Sequence, residues 1–476
     1  VLNGDDSQRR RKPALLCLSQ SFSPETTPTA IRASKLVEKL SERWDVTVLT
    51  EAPRSSPNEA PRSSADDRVR VEVVRGRRPK RLFTALRRLR ANKLLELLVW
   101  PDDAIFWVLP AVLAGRRVVR EREPEAIVVF MMPYSAGLAG VLLSRLTGLA
   151  LILNLDDSPT CTDMHPYFPT RLHYRLARAL EDFYARRGDA VVYVSQRNLD
   201  AVRSRQDERV REKLQLVRYG ADPADFRPRE QSSEDLEIAY VGAMSGWWAV
   251  ISDRAPASRL KRLYAAWTRF GRYERVPLDH RTSSPVIAGG AILDVLAEHP
   301  GWAGRVKLTV YGNPYDTSVV ARALARAGVE EVATVLDPVP HAEVSAIICA
   351  ADLLFITLPN RPDRSPGGRI SAKTYEYLMT DRPILAAVPP GENWDYLSGK
   401  PGVWLLEPDD REGMKAVIAE LAQAKLAGQP LRFDREHLRA ELSYRTRAEQ
   451  FAQVIESGIE RHAQGSRRGM RPRSPR

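Results

Sequence analysis

Short apolar runs bounded by turn formers, and separated by stretches with helical spacing, recur along this chain, and that alternation leaves few architectures open. The first series is ALLCLS at 14–19, DVTVLT at 45–50, AIVVF at 126–130, LALILNL at 149–155 and AVVYVS at 190–195. Ile31 to Leu40, Ser135 to Leu146 and about Pro169 to Arg186 repeat apolar residues at the period of a helix. Runs that are apolar throughout, rather than on alternate residues, belong to strands buried on both faces, as in parallel α/β sheets.

The series halts at GADPADFRPREQSS, residues 220–233, which is polar and rich in turn formers, and then restarts. LEIAYVGAM at 236–244, VKLTVYG at 306–312, ATVLD at 333–337, DLLFITL at 352–358 and PILAAV at 383–388 make a second set. With 476 residues, the chain suits two domains of ordinary size. The expected fold class is α/β, two doubly wound Rossmann-like domains facing across a cleft. The expected boundaries are a disordered basic N-terminus over 1–12, a first Rossmann-like domain over 13–218 and a second over 219–440. A C-terminal helix over 441–462 and a disordered basic tail over 463–476 complete the chain. Residues 245–284, rich in Arg and Trp with little strand character, exceed a normal connection and read as an insertion. Ligands of such sheets bind beyond the carboxyl ends of the strands, so the cleft is the expected active site.

Composition narrows the setting. Cys17, Cys161 and Cys349 are odd in number and far apart, against a disulfide framework and in favour of a reducing cytosol. The opening VLNGDDSQRRRK does not read as a secretory leader. The most apolar region, 126–155, is interrupted by Pro133, Gly137, Gly140, Arg145 and Gly148, too often for a membrane-spanning helix. Net charge is +12, and Arg75 to Lys93 holds nine Lys or Arg without an acid. Such a stretch suits an anionic membrane surface at the inner face, or is a solvated helix face. It lacks the interleaved aromatic platforms of a nucleic-acid binder. His165, His173, His280, His299 and His341 show no metal-ligand spacing, and neither a metal nor a resident cofactor is expected.

The most informative segment is TLPNRPDRSPGGRISAKTYEYLMTDRPILAAV, 357–388. A strand ends near Leu358, a loop follows with Arg361, Arg364, Gly367, Gly368 and Arg369, and a helix begins at Ser371, a good N-cap type. At 100° per residue, Ala372, Tyr375, Leu378 and Met379 fall on one side and Lys373, Glu376, Tyr377 and Thr380 on the other. The first side is expected to pack and the second to face ligand. Lys373 lies in the first turn, where the helix dipole disfavours a cation unless an anion is close. Glycine-loop N–H groups, a helix start and several cations make a phosphate site that needs no metal, and a nucleoside diphosphate is the natural ligand. Glu376, on the face of Lys373, could take ribose hydroxyls; the plain alternative is an i,i+3 surface pair.

Here the sequence resembles the family 4-like glycosyltransferases of GT-B fold. The resemblance spans about residues 13–460 and rests on the opening strand-helix-strand, VVYVSQRNLDAV, LVRYGADPADFRP, IAYVGAM and above all GGRISAKTYEYLMTDRPILA. It implies donor diphosphate and ribose binding for Lys373 and Glu376, a donor-facing Gly242, and a retaining reaction. The chain departs from that pattern in three places. Gly368 stands eight residues before Glu376, where many relatives carry a glutamate that touches the donor sugar. LILNLDDSPT supplies Asp156 and Asp157 where many carry a histidine. Pro24 to Pro28 replaces the glycine-rich first loop, and Arg32 opens the helix behind it.

Asp156 and Asp157 end a strand, so at least one should face the cleft and orient or deprotonate an acceptor hydroxyl, with Asp157 preferred; the alternative is an Asx-turn cap. Gly312 and Asn313, beyond another strand end, are placed near the donor. The expected reaction carries a sugar from a nucleoside diphosphate sugar to a glycan or lipid-linked acceptor. Its rivals are a catalytically silent sugar-nucleotide-binding module and a nucleotide-sugar 2-epimerase.

Overall fold

The computed structural model describes residues 12–52, 68–89, 91–161, 163, 167–227, 234–244, 247, 258–312 and 317–469. Two all-parallel sheets dominate it. The first has the order β3-β2-β1-β4-β5-β7-β8, from β1 (Ala14–Ser19), β2 (Asp45–Thr50), β3 (Val69–Val73), β4 (Ala126–Phe130), β5 (Ala150–Leu155), β7 (Ala190–Tyr193) and β8 (Leu214–Leu216). The second runs β12-β11-β9-β13-β14-β15, from β9 (Leu236–Val241), β11 (Val306–Tyr311), β12 (Ala333–Leu336), β13 (Leu353–Thr357), β14 (Ile384–Ala387) and β15 (Val403–Leu406). Every residue of β4, β5, β13 and β14 is buried, as their uninterrupted apolar runs require. In each sheet the order reverses beside the first strand of its half, the topology of a doubly wound domain with its crevice at the strand ends.

The chain passes between the halves twice. At Val217 to Ala221 it leaves the first sheet, and at Leu442 to Tyr444 it returns, the two crossings being bonded by Ala221 N to Leu442 O at 3.0 Å and Tyr444 N to Ala221 O at 3.2 Å. Gly220 is required there, because a Cβ would stand 2.7 Å from Leu442 O. Past the second crossing, the helix Tyr444–Gly469 lies on the first half, where Tyr444, Phe451 and Ile455 join Leu36, Val37, Val128 and Ile152 in one core. The expected C-terminal helix is therefore two, Glu436–Leu442 and Tyr444–Gly469, and the helix continues past His462 into the segment expected to be disordered. The expected disordered N-terminus, apart from Lys12, and residues 470–476 lie outside the described residues.

The insertion also departs from expectation. Its described part holds a helix, Arg259–Arg269, and a strand, β10 (Tyr273–Glu274), that pairs antiparallel with β6 (Tyr167–Phe168) of the other half. Lys93 locks this bridge, its Nζ donating to the carbonyls of Trp267, at 2.8 Å, and Phe270 at the end of the insertion helix. The segment thus straps one half to the other. Among the described residues no helix is long and apolar enough to cross a membrane.

Candidate active site

The helix expected to face the donor runs from Ala372 to Leu378 after β13 and its long loop. Thr374, Tyr375, Tyr377, Leu378, Met379 and Thr380 are all buried, while Ala372, Lys373 and Glu376 are only partly so. The expected ligand face is thus narrower than drawn from the wheel. Tyr377 is turned inward, where its hydroxyl accepts from Val241 N at 3.0 Å, and Thr380 is buried in the turn after the helix, donating to Tyr377 O at 2.8 Å. A short helix wedged against a sheet buries more than one side of itself, and an ideal wheel cannot register that.

Lys373 crosses from this helix to the end of β9. Its Nζ lies 4.8 Å from the centre of the Tyr240 ring, and its chain occupies the space beside Gly242, where φ is 125°. Gly312, φ 128°, packs on Gly242 in turn, a Cβ there falling 2.8 Å from Gly242 C. Two strand ends stripped of side chains therefore open a shelf above which one cation is held. Asn313 lies outside the described residues.

Ser371 stands at the N-cap in extended conformation, but its side chain caps nothing. The capping is done from outside the helix by Asn393, whose Oδ1 accepts from Ser371 N at 2.9 Å and Thr374 Oγ1 at 2.8 Å. The neighbouring Glu392 reaches into the opposite half. Its buried carboxylate accepts from Ser195 Oγ, from Gln196 N at 2.7 Å and from Arg197 N at 3.0 Å at the start of the helix Gln196–Arg203, and it pairs with Arg218. Glu392 and Asn393 are adjacent, so the residue pair that holds the start of this helix also clamps the halves together. Gly391, φ 148°, makes this possible by bridging to Gly367, whose oxygen lies 2.5 Å from where a Cβ would stand. Sequence reasoning missed the pair; the signal was PPGEN directly after an apolar strand, a forced turn followed by a polar helix start.

Gly368 meets the opposite half as well. A Cβ on it would stand 2.2 Å from Asn198 Oδ1, so no side chain fits at the position where a sugar-contacting glutamate was looked for. Beside it, a cavity of about 90 Å³ lies between the halves, with Asp157, Ser195 and Tyr219 on one wall and Gly368, Arg369 and Ser371 on the other. Asp157 is the half-buried member of the aspartate pair, and its main-chain oxygen accepts from Tyr134 Oη at 3.1 Å.

Three expected site residues lie elsewhere. Asp156 is buried beneath the cavity, paired with Arg32 Nε at 3.1 Å and bonded by Asn154 Nδ2 at 2.7 Å and Tyr219 Oη at 3.1 Å. Burial pushes its carboxyl above the ordinary carboxylate range, against the pull of those partners. Arg32 is fully buried too, and donates to the carbonyls of Val217 and Arg218, each at 2.8 Å. It holds the first interdomain crossing rather than a substrate. Arg364 is 78% exposed, turned toward Glu407, and lines a separate cavity of about 250 Å³ with Asp279 and Asp409. Arg364 thus lines a different cavity from the one that Arg369 lines, and it faces Glu407 rather than the end of β9 where Lys373 lies. Arg361, from the same loop, pairs with Asp163 of the opposite half.

Comparison with known proteins completes the picture. Residues 29–220 match the family described as glycosyl transferase 4-like domain. No curated protein matches the sequence. A sucrose-phosphate synthase from Thermosynechococcus elongatus is similar in structure, with a TM-score of 0.60 at 12% identity over 94% of this chain and 98% of that one. An α,α-trehalose 6-phosphate synthase from Burkholderia multivorans gives 0.56 at 12% over 98% and 100%. The Anabaena protein HepE, in complex with UDP-glucose, gives 0.53 at 14% over 93% and 99%. At such identities the likeness speaks for the fold, and that fold is GT-B.

Proposed function

We propose that this chain, a GT-B protein whose residues 29–220 carry a glycosyl transferase 4-like domain, moves a glycosyl unit from a nucleoside diphosphate sugar to an acceptor hydroxyl. The observation that carries this reading is the cavity between the halves, with a carboxylate, Asp157, on one wall and a cation, Arg369, on the other. Lys373 lies over the bare strand ends at Gly242, a short step along the same helix start. HepE, similar in fold, was solved with UDP-glucose, which supports a sugar nucleotide as the donor.

The diphosphate would rest on the Gly242 and Gly312 shelf against Lys373 and Arg369, with Glu376 toward the ribose. As the acceptor oxygen bonds to the anomeric carbon, the bond from that carbon to the diphosphate breaks and negative charge grows on the leaving oxygen. Lys373 and Arg369 are placed to offset that charge without a metal. The acceptor proton passes to Asp157 or, on the donor-face path that retains configuration, to the leaving diphosphate. Clamping by Glu392 and Arg361 would exclude water and fix the two substrates at reacting distance.

The deciding experiment is thermal stabilisation by UDP, GDP, TDP and ADP, and by their sugars, for the wild type and Lys373→Ala. A shift with one base that the variant loses supports the donor site and names the nucleotide. No shift with any of them rejects sugar-nucleotide chemistry at this site.

A further inference from the structure

A third cavity, of about 280 Å³, is lined wholly by residues of the first half. Trp100, Pro101, Met132, Pro133, Phe168 and Tyr184 give it an apolar wall. Its buried polar groups already have partners within the protein. Tyr184 Oη donates to Tyr134 O at 2.8 Å, and Asp102 accepts from Ala104 N at 3.1 Å and Ser135 N at 3.0 Å. His173 Nε2 donates to Leu97 O at 3.2 Å, which leaves Nδ1 to accept from Thr170 Oγ1 at 2.8 Å. A sugar entering this space would shed its bound water and find little to replace it, whereas an apolar group would lose nothing.

The surroundings say which apolar group. The helices Asn92–Leu98 and Arg171–Arg187 supply Glu96, His173, Ala177 and Leu180 to its lining, and beside these they leave Leu98 75%, Leu172 60% and Leu176 38% exposed. Arg171, Arg175 and Arg178 are exposed among them, and residues 169–180 contain no acid. Exposed leucines interspersed with arginines on the helix that lines the cavity complement an anionic lipid surface, and a small aromatic aglycone would need no such surface. Tyr134 belongs to the cavity wall and donates to the main chain of Asp157 at 3.1 Å, so a single side chain stands between this cavity and the residue that lines the cleft cavity.

We propose that this cavity takes the hydrocarbon chain of a lipid-linked acceptor, whose hydroxyl-bearing head then lies at Asp157. The assignment rests on the transferase reading, but its test is separable. With the full chain, binding of farnesyl phosphate is compared with that of isopropyl phosphate, which has the same head and almost no chain. The wild type should bind the farnesyl compound at least tenfold more tightly. Ala177→Phe, which fills the cavity, should abolish that advantage while the thermal shift with the preferred nucleoside diphosphate persists. If that variant does not fold, the surface pair Leu172→Ser with Leu176→Ser should reduce the advantage severalfold. Equal binding of the two phosphates, or a farnesyl advantage that survives both sets of changes, overturns the proposal. Loss of every diphosphate shift in the wild type would overturn the transferase reading alone, and would leave the chain preference to be scored by itself.

Discussion

Gly242 and Lys373 share one space: the lysine Cε and Nζ lie 2.6 and 2.7 Å from the point where a Cβ on residue 242 would stand. The glycine is needed twice, for its φ of 125° and for the room it leaves. Gly242→Ala should therefore displace Lys373 and strain the strand end, at about 1–3 kcal/mol. Titration with the preferred diphosphate should show affinity falling about tenfold or more, and unchanged affinity would mean that Lys373 does not need this berth.

Lys373→Ala removes the cation and leaves the glycine shelf intact. A hydrogen bond to a charged group contributes about 1.5–3 kcal/mol, so the diphosphate should bind roughly ten- to a hundredfold more weakly, with the free protein's melting temperature little changed. Arg364→Ala should alter diphosphate affinity by less than about twofold, since that arginine lines the other cavity and faces Glu407. Equal losses from the two substitutions would show that the arginine swings into the cleft when donor binds.

Arg32 supplies the converse test. It is buried against Asp156 and two carbonyls of the interdomain crossing. Arg32→Ala leaves a buried carboxylate without its counter-charge, a change that costs about 3–5 kcal/mol. The melting temperature should fall sharply, whereas a substrate-binding arginine at the surface would weaken affinity and spare stability.

These contrasts also show what could be read in advance. Strands such as AIVVF and LALILNL were legible because a run buried on both faces must be apolar throughout. Lys373 and Gly368 stood out because a phosphate site needs cations and close backbone, and Gly242 through the resemblance; that Lys373 meets Gly242, and that Gly368 abuts the opposite half, is visible only in the fold. Arg32, Asp156 and Arg364 could not be separated in advance from residues that line the cleft cavity, because sequence gives their position on a strand end, helix or loop and omits what faces them. The clamp by Glu392 was hidden for a related reason: its partners, Ser195 to Arg197, are nearly two hundred positions away, and only the closed arrangement of the halves joins them.

His280 gives the site a pH signature. Burial lowers its pKa below 6.5, Arg369 adds to that lowering, and Asp279 opposes it. Its contribution to stability is therefore complete above pH 6.5 and is lost as pH falls from there through the folded value. A bound diphosphate beside Arg369 would favour the charged ring. Affinity for the nucleotide sugar, whose phosphates do not titrate in this range, should rise between pH 7.5 and about pH 5.5, on the scale of the ordinary histidine pKa. His280→Ala should flatten the profile; an unaltered slope in the variant would place the titrating group elsewhere.

Asp157 carries the final test, because it is the one member of the aspartate pair that reaches the cavity. Asp157→Asn keeps the shape of the side chain and removes its ability to accept a proton. If the carboxylate is the base, kcat should fall by about 10² to 10⁴, with donor affinity from the diphosphate titration unchanged. If the leaving diphosphate takes the proton instead, the fall should be closer to tenfold, and the variant should show its loss mainly in KM for the acceptor. Asp156→Asn, made in parallel, should behave like Arg32→Ala, losing stability because it breaks the same buried pair. A variant at 156 that folded normally and lost only kcat would exchange the roles of the two neighbouring carboxylates.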